Sequence, residues 1–229
     1  MARDPLGERW PEVYRDSPHI FDRFSRAEDR FDVVAPRLIE LARLAGCSVL
    51  EMGCGTGRWT RSLASTPRSY AALEPQAGML QLAQAAGADG VSWILGRGEA
   101  LPVASCSLDR VLATWVFANM RPKVRARSIA EAHRVVKPGG EIWLLENHWE
   151  DDFQELRRDA GLPVEVEVQP LTEEFGFELV EVLETEMAFE SEADAREVLG
   201  QILGPRVDEE LARSPRVNLV HRVCLLKMP

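Results

Sequence analysis

Ser48-Val49-Leu50-Glu51-Met52 runs directly into Gly53-Cys54-Gly55-Thr56-Gly57. A short apolar run that stops at a glycine cluster predicts a buried strand, a tight loop and then a helix, here around Trp59–Ala64. Glycine has no Cβ to collide with a ligand, and it adopts positive φ without strain. Backbone amides at the start of the following helix point towards whatever binds at such a loop.

Outward from this stretch the same unit recurs as apolar run, turn and helical pattern. Tyr70–Leu73 reads as a second strand ending at Glu74-Pro75, and Met79, Leu80, Leu82 and Ala83 mark a helix closed near Gly87. Val91–Leu95 is a third strand and Asp109–Val116 a fourth. A helix from about Lys123 to Val136 is expected to stop at Pro138-Gly139-Gly140, before a fifth strand at Ile142–Leu145. Upstream, Leu38, Leu41, Ala42 and Ala45 keep helical spacing, with Gly46 as a stop. Beyond Asp151 the pattern loosens: Phe177–Leu183 and Val217–Leu226 read as two further strands, separated by a helix near Glu192–Leu203. Val164–Val168 alternates like a strand but is flanked by prolines, and its state stays open. Strands alternating with helices argue for an α/β fold with a largely parallel sheet.

The bulk numbers narrow the class. The chain has 229 residues, 45% apolar and 28% charged, which fits one domain with a substantial core. A net charge of −10 opposes a broad nucleic-acid-binding or acidic-membrane surface. Cys47, Cys54, Cys106 and Cys224 show no Cys-x-x-Cys pair and no clustering with histidine, so neither a disulfide framework nor a metal site is expected. No apolar run approaches the ~18 residues of a membrane span, and the first residues lack an apolar signal core. The expectation is a cytoplasmic protein with no membrane partner; the oligomeric state is not legible.

Glycine loops of this kind also serve dinucleotides, but that fingerprint needs a small residue three positions after its second glycine. Counting from Gly55 gives Arg58, and a fingerprint that starts at Gly55 ends on Thr60. Glu74, closing the next strand, is placed to accept both hydroxyls of a ribose, a feature common to either cofactor class.

Four blocks in order complete the pattern: Leu50 to Gly57, Leu73-Glu74-Pro75-Gln76-Ala77-Gly78-Met79-Leu80, Gly98-Glu99-Ala100-Leu101-Pro102-Val103 with Ser107-Leu108-Asp109, and Glu131 to Gly140 with its Lys137-Pro138-Gly139-Gly140 ending. On these blocks the sequence resembles the class I S-adenosylmethionine-dependent methyltransferases, in particular the small-molecule enzymes. The resemblance implies a Rossmann-like three-layer sandwich with a seven-stranded, mostly parallel sheet and one antiparallel C-terminal strand. It implies a single domain over 1–229: an N-terminal helical cap or lid over 1–46, a cofactor-binding core over 47–149, and a C-terminal half over 150–229 with acceptor-pocket elements and the last two strands. It implies S-adenosyl-L-methionine as cofactor. Glu51 and the backbone of Gly53, Cys54, Gly55 and Gly57 would hold its methionine end, Glu74 with Pro75 its ribose, and Met79, Gly98 and Glu99 its adenine. Thr114 and Trp115 would lie near the transferred methyl, and Tyr14 would contact the cofactor from the lid. One position departs from the family: Arg97 stands where an aspartate commonly accepts from the adenine amino group, and guanidinium has no acceptor.

A sulfonium methyl is already activated, so alignment of the acceptor at roughly 3–3.5 Å does most of the work. A general base is needed only where the acceptor must lose a proton. His148, after the fifth strand, is the candidate catalytic residue; the competing reading is a loop histidine on the acidic turn Glu150-Asp151-Asp152. His19, His133 and His221 read as surface or structural. The expected function is methyl transfer to an N- or O-nucleophile of a small molecule by in-line displacement. A nicotinamide-dependent oxidoreductase and a non-catalytic cofactor-binding partner protein are the alternatives. An Asn/Asp-Pro-Pro-aromatic motif is missing at Thr114-Trp115-Val116-Phe117, and there is no Pro-Cys pair, which argues against a nucleic-acid acceptor.

Overall fold

A computed structural model describes residues 10–118, 120–162 and 168–228. Three helices come first: α1 (Trp10–Asp16), α2 (Pro18–Ala27) and α3 (Val34–Leu41). The core follows as β1 (Ser48–Met52), α4 (Arg58–Leu63), β2 (Ser69–Glu74), α5 (Ala77–Ala86), β3 (Val91–Leu95), β4 (Leu108–Thr114), α6 (Pro122–Val135) and β5 (Val136–Asn147). Then come α7 (Asp152–Asp159), α8 (Val168–Phe175), β6 (Glu178–Ala188), α9 (Glu192–Leu203), α10 (Pro205–Arg213) and β7 (Asn218–Met228).

The sheet is seven-stranded in the order β3-β2-β1-β4-β5-β7-β6. Every pairing from β3 to β5 is parallel, and β7 runs antiparallel to both β5 and β6. The expected sheet, with its single antiparallel C-terminal strand, is therefore the observed one. The order reverses between β1 and β4, and in open α/β sheets ligands bind at the carboxyl edge of such a switch point.

Alternation along each strand feeds two cores. Leu50, Met52, Val111, Ala113, Ile142 and Leu144 face Ile129, Ala132 and Val135 of α6 and Leu171 of α8. Val49, Leu112, Trp143 and Leu145 face the other layer: Val34 and Leu38 of α3, Trp59 and Leu63 of α4, and Leu80 of α5. A third cluster lies apart from these. Val13 of α1, Ile20 and Phe24 of α2, Phe153 and Leu156 of α7, and the apolar faces of α9 and α10 pack with Met187 and Leu219. The N-terminal helices are thus held by the C-terminal ones.

Two strands differ from the sequence reading. β5 starts at Val136 and includes Pro138-Gly139-Gly140; its register with β4 shifts between Leu108 and Arg110, which lets the glycines lie within the strand instead of before it. β6 continues to Ala188, past the expected end at Leu183. Glu184 and Glu186 hide the strand signal there, although Thr185 and Met187 between them are buried. In the open segment, Val168 begins α8, while 163–167 lie outside the described residues.

Candidate active site

The last residues of β1, β2 and β4 and the end of β5 (Met52, Glu74, Thr114 and Asn147) all line one cavity of about 300 Å³. The glycine loop forms one wall. Gly53 has φ +72, and a Cβ there would come within 2.5 Å of Val116 Cγ2; Gly55 has φ +57, and its Cβ would touch Phe21 of α2 at 3.0 Å. The loop therefore needs glycine both for its backbone and for what crosses it.

Glu74 ties the loop to the second strand. Its carboxylate accepts from Gly55 N at 3.0 Å and from Gln76 N at 2.9 Å. Burial raises its pKa, while these two amides favour the ionised form. Each oxygen keeps a lone pair for a further donor, and Glu74 lines the cavity. Pro75, Gln76 and Met79 continue that wall into α5, and Gly98 and Glu99 come from the segment after β3. Arg97 does not face the cavity as a bare cation. Its Nε donates to Glu99 Oε1 at 2.8 Å, and this ion pair holds the Glu99 carboxyl below its ordinary pKa. An ionised acceptor is therefore present near the position where the family's aspartate is missing.

Trp115 follows β4 with φ 54, an uncommon backbone for a bulky residue. Its Nε1 donates to Asn147 Oδ1 at 2.6 Å, and its ring packs on Trp59 and lies parallel to His221. His221 is buried and bonded through Nδ1 to Asp151 Oδ2 at 3.0 Å. Asp151 also caps α7 through Gln154 N and accepts from Arg222 N. Burial disfavours its charge, but the His221 bond and these amides outweigh that and hold its pKa below the usual range.

The wall facing the sheet is aromatic. Trp10, Tyr14, Phe21 and Phe24 from α1 and α2 touch one another edge-on or tilted, and Phe24 meets Phe153 of α7. All of them line the cavity, together with Glu28 and Arg157. Side chains of α1 and α2 thus lie over the carboxyl edge of the sheet.

Three expected site residues are not in the lining. Glu51 is fully buried on the opposite side of β1 from Leu50 and Met52; it accepts from Thr60 Oγ1 at 2.5 Å and from Tyr70 Oη at 3.0 Å, and burial pushes its pKa to about 7. It braces α4 against β2 and does not reach the cavity. Gly57 caps α4 with φ +79, and its Cα faces Ala83 of α5, with 3.1 Å from an added Cβ to the Ala83 Cβ, so its smallness serves helix packing. His148 stacks on Trp149 at 4.0 Å, and its Nδ1 takes the Glu150 N–H at 3.1 Å. It stays on the outer turn, away from the cavity. Tyr14, Gly53, Cys54, Gly55, Glu74, Pro75, Met79, Gly98, Glu99, Thr114 and Trp115 do line it. Cys54 is buried beside Glu51 and Glu74, which push its thiol pKa further up after burial has done so, and it stays an inert thiol.

The lining fits a nucleoside with an amino-acid tail: a carboxylate for paired hydroxyls, an apolar wall at Met79, and a loop stripped of side chains. Among the described residues no group of His, Cys, Asp or Glu is arranged to hold a metal, and no helix is long and apolar enough to cross a membrane.

Residues 49–140 match a family model described as a methyltransferase domain. The chain is 35% identical over 103 residues to the ubiquinone/menaquinone biosynthesis C-methyltransferase of Rubrivivax gelatinosus; the match covers 44% of this chain and 40% of that relative's length. A SAM-dependent methyltransferase of Aquifex aeolicus superposes with a TM-score of 0.55 at 16% identity, covering 89% of this chain and 97% of that one. The [4+2]-cyclase SpnF superposes equally well, with a TM-score of 0.55 at 17% identity over 86% of this chain and 80% of that one. At these identities the structural likeness fixes the fold and leaves the chemistry to the site.

Proposed function

We propose, from the premise that this chain belongs to the class I S-adenosylmethionine-dependent methyltransferases, that it transfers a methyl group to a small, largely apolar acceptor. The observation that carries the reading is one cavity shared by two kinds of wall. Glu74, Met79, Gly98 and the Gly53–Gly55 backbone suit the cofactor, while Trp10, Phe24, Phe153 and Trp115 suit a flat or aromatic partner.

S-adenosylmethionine supplies a methyl on a sulfonium centre, already activated towards a nucleophile. The chain's own task is to orient and to exclude water. Trp115, fixed by Asn147 and flanked by Trp59 and His221, presents a rigid face at the end of β4. The α1–α2 aromatics close the side open to solvent, which is the usual duty of an active-site cover. We take residues 1–46 as this cover, 47–149 as the cofactor-binding core and 150–229 as the half that shapes the acceptor end through Phe153 and Arg157. The acceptor atom extends beyond nitrogen and oxygen to carbon, since a relative is named as a C-methyltransferase. The net charge of −10 and a recessed, largely apolar cavity favour a small molecule over a nucleic acid.

The test is turnover. Purified protein with S-adenosylmethionine and a panel of phenols, quinols, aromatic amines and carboxylates should give a methylated product and S-adenosylhomocysteine with at least one aromatic member. Tight binding of NAD, with no response to S-adenosylhomocysteine, would overturn the assignment.

A further inference from the structure

Among the described residues, the acidic side chains lining the cavity are Glu28, Glu74 and Glu99, and Glu28 has been given no role so far. It closes α2 and continues the stripe of Phe21, Phe24 and Ser25, all of which line the cavity. It is 6% exposed, and its carboxyl takes no hydrogen bond from any described residue. The neighbouring Asp29 is different: its oxygens are committed to Val33 N, Val34 N and the Thr185 hydroxyl. A buried carboxyl facing a cavity without a protein donor costs stability unless something in the cavity supplies one.

Its place in the cavity is fixed from two sides. Phe21, two turns before it on the same stripe, lies against Gly55, where an added Cβ would come within 3.0 Å of the ring. Arg58, directly after the glycine loop, donates from Nη2 to the Glu28 backbone oxygen at 3.3 Å, and its guanidinium lies over Trp59 and lines the cavity. Arg58 also donates to Asp32 Oδ1 at 3.4 Å and to Ser62 Oγ at 3.1 Å, and it and Glu28 sit together at the glycine-loop end as a guanidinium and a carboxyl that line one cavity. An α-amino acid presents both an ammonium and a carboxylate there.

We propose that Glu28 and Arg58 read the amino-acid end of the cofactor, Glu28 accepting from the α-ammonium and Arg58 offering its charge to the α-carboxylate. The inference rests on the methyltransferase reading and adds to it a link between the N-terminal cover and the ligand. Because Glu28 belongs to the cover and Arg58 to the core, an amino-acid tail bridges the two layers; a nucleoside without that tail does not.

The protonation state follows. Burial raises the Glu28 pKa to about 8; Arg58 works against this rise and Asp29 adds to it. In the free protein at pH 7 the carboxyl is mainly protonated, so receiving an ammonium requires release of its proton to the buffer.

Calorimetry with two ligands tests the proposal, S-adenosylhomocysteine with the amino-acid tail and 5′-methylthioadenosine without it. Glu28→Gln should weaken the first by about tenfold or more, the range of a lost charge-assisted hydrogen bond, and leave the second unchanged. Binding of the first at pH 7, measured in phosphate and in Tris, should show proton release in the wild type and none in Glu28→Gln. Equal losses for both ligands, or no loss for either, would overturn the proposal, as would undiminished proton release in the variant. The thioadenosine measurement also reports whether the variant is folded. A wild-type protein that binds neither ligand would sink the cofactor assignment itself, a result distinct from any of these.

Discussion

The Glu74 carboxylate, at the last position of β2, accepts the backbone N–H of Gly55 at 3.0 Å. A side chain of one strand thus holds the loop that follows another, so the shape of the loop depends on the group proposed to hold the ribose. Glu74→Ala removes an acceptor for the ligand and a tether for the loop. S-adenosylhomocysteine affinity should fall by about 1.5–3 kcal/mol, the size of one or two charge-assisted bonds. Glu74→Gln keeps an acceptor for Gly55 and should lose less. Calorimetric titration of both variants checks the order, and equal affinity of Glu74→Ala and wild type would place the ribose elsewhere.

Stability of the free protein should fall as pH rises through neutrality. Glu51, with a pKa near 7, and Glu28 and Glu146, each near 8, are pushed up chiefly by burial. A folded-state pKa above the unfolded value of 4.5 means that the native state binds more protons between these limits. Stability from such groups is complete below 4.5 and is lost as pH climbs to about 8. Groups shifted the other way, such as Glu131 at about 2, lose their contribution only in acid. Melting temperatures at pH 5.5, 7 and 8.5 should therefore decline in that order for the free protein. Glu146→Gln, which keeps an acceptor for Ala118 N, should flatten the trend. A rise over the same window would contradict the assignment.

His148 and Asp151 are three residues apart and should behave in opposite ways. His148 lies on the outer turn with local partners only, so His148→Ala should leave stability and turnover within about twofold. Asp151 satisfies Gln154 N, Arg222 N and His221 Nδ1 at once, in a buried setting behind Trp115. Asp151→Ala orphans these donors and uncaps α7, and should cost about 2–4 kcal/mol. Denaturant unfolding separates the two. A turnover loss in His148→Ala with normal affinity would return that histidine to the mechanism.

What the sequence disclosed follows from what is local. β1 and β3 begin and end where apolar runs meet glycine, and the loop, Glu74, Met79 and Gly98 lie within or beside recognisable blocks. Alternation also fixes Glu51: Leu50 and Met52 on one face place it on the other, against Thr60 and Tyr70. Glu28, Phe153 and Arg157 carry no local signature. They reach the cavity because α1 and α2 pack on α7 and α9, a contact between chain ends that periodicity does not encode. For His148, position after β5 gives the correct edge of the sheet but not the direction of the side chain, which stacks on Trp149.

Gly53 and Gly139 share a positive φ, +72 and +79, but not a neighbourhood. A Cβ on Gly139 would meet nothing within 4 Å, whereas one on Gly53 would lie 2.5 Å from Val116 Cγ2. Gly139→Ala should therefore cost only the left-handed backbone penalty, about 1 kcal/mol, and leave cofactor affinity intact. Gly53→Ala adds a steric overlap at the cavity wall. Val116 cannot retreat freely, because the amides of Val116, Phe117 and Ala118 are drawn to the buried Glu146 carboxyl. Its stability cost should reach about 2–3 kcal/mol, and S-adenosylhomocysteine binding should weaken in step with the displaced loop. Unfolding and titration of the two variants side by side separate backbone strain from lost space. Equal effects on affinity would mean that the loop's close approach to Val116 has no part in binding.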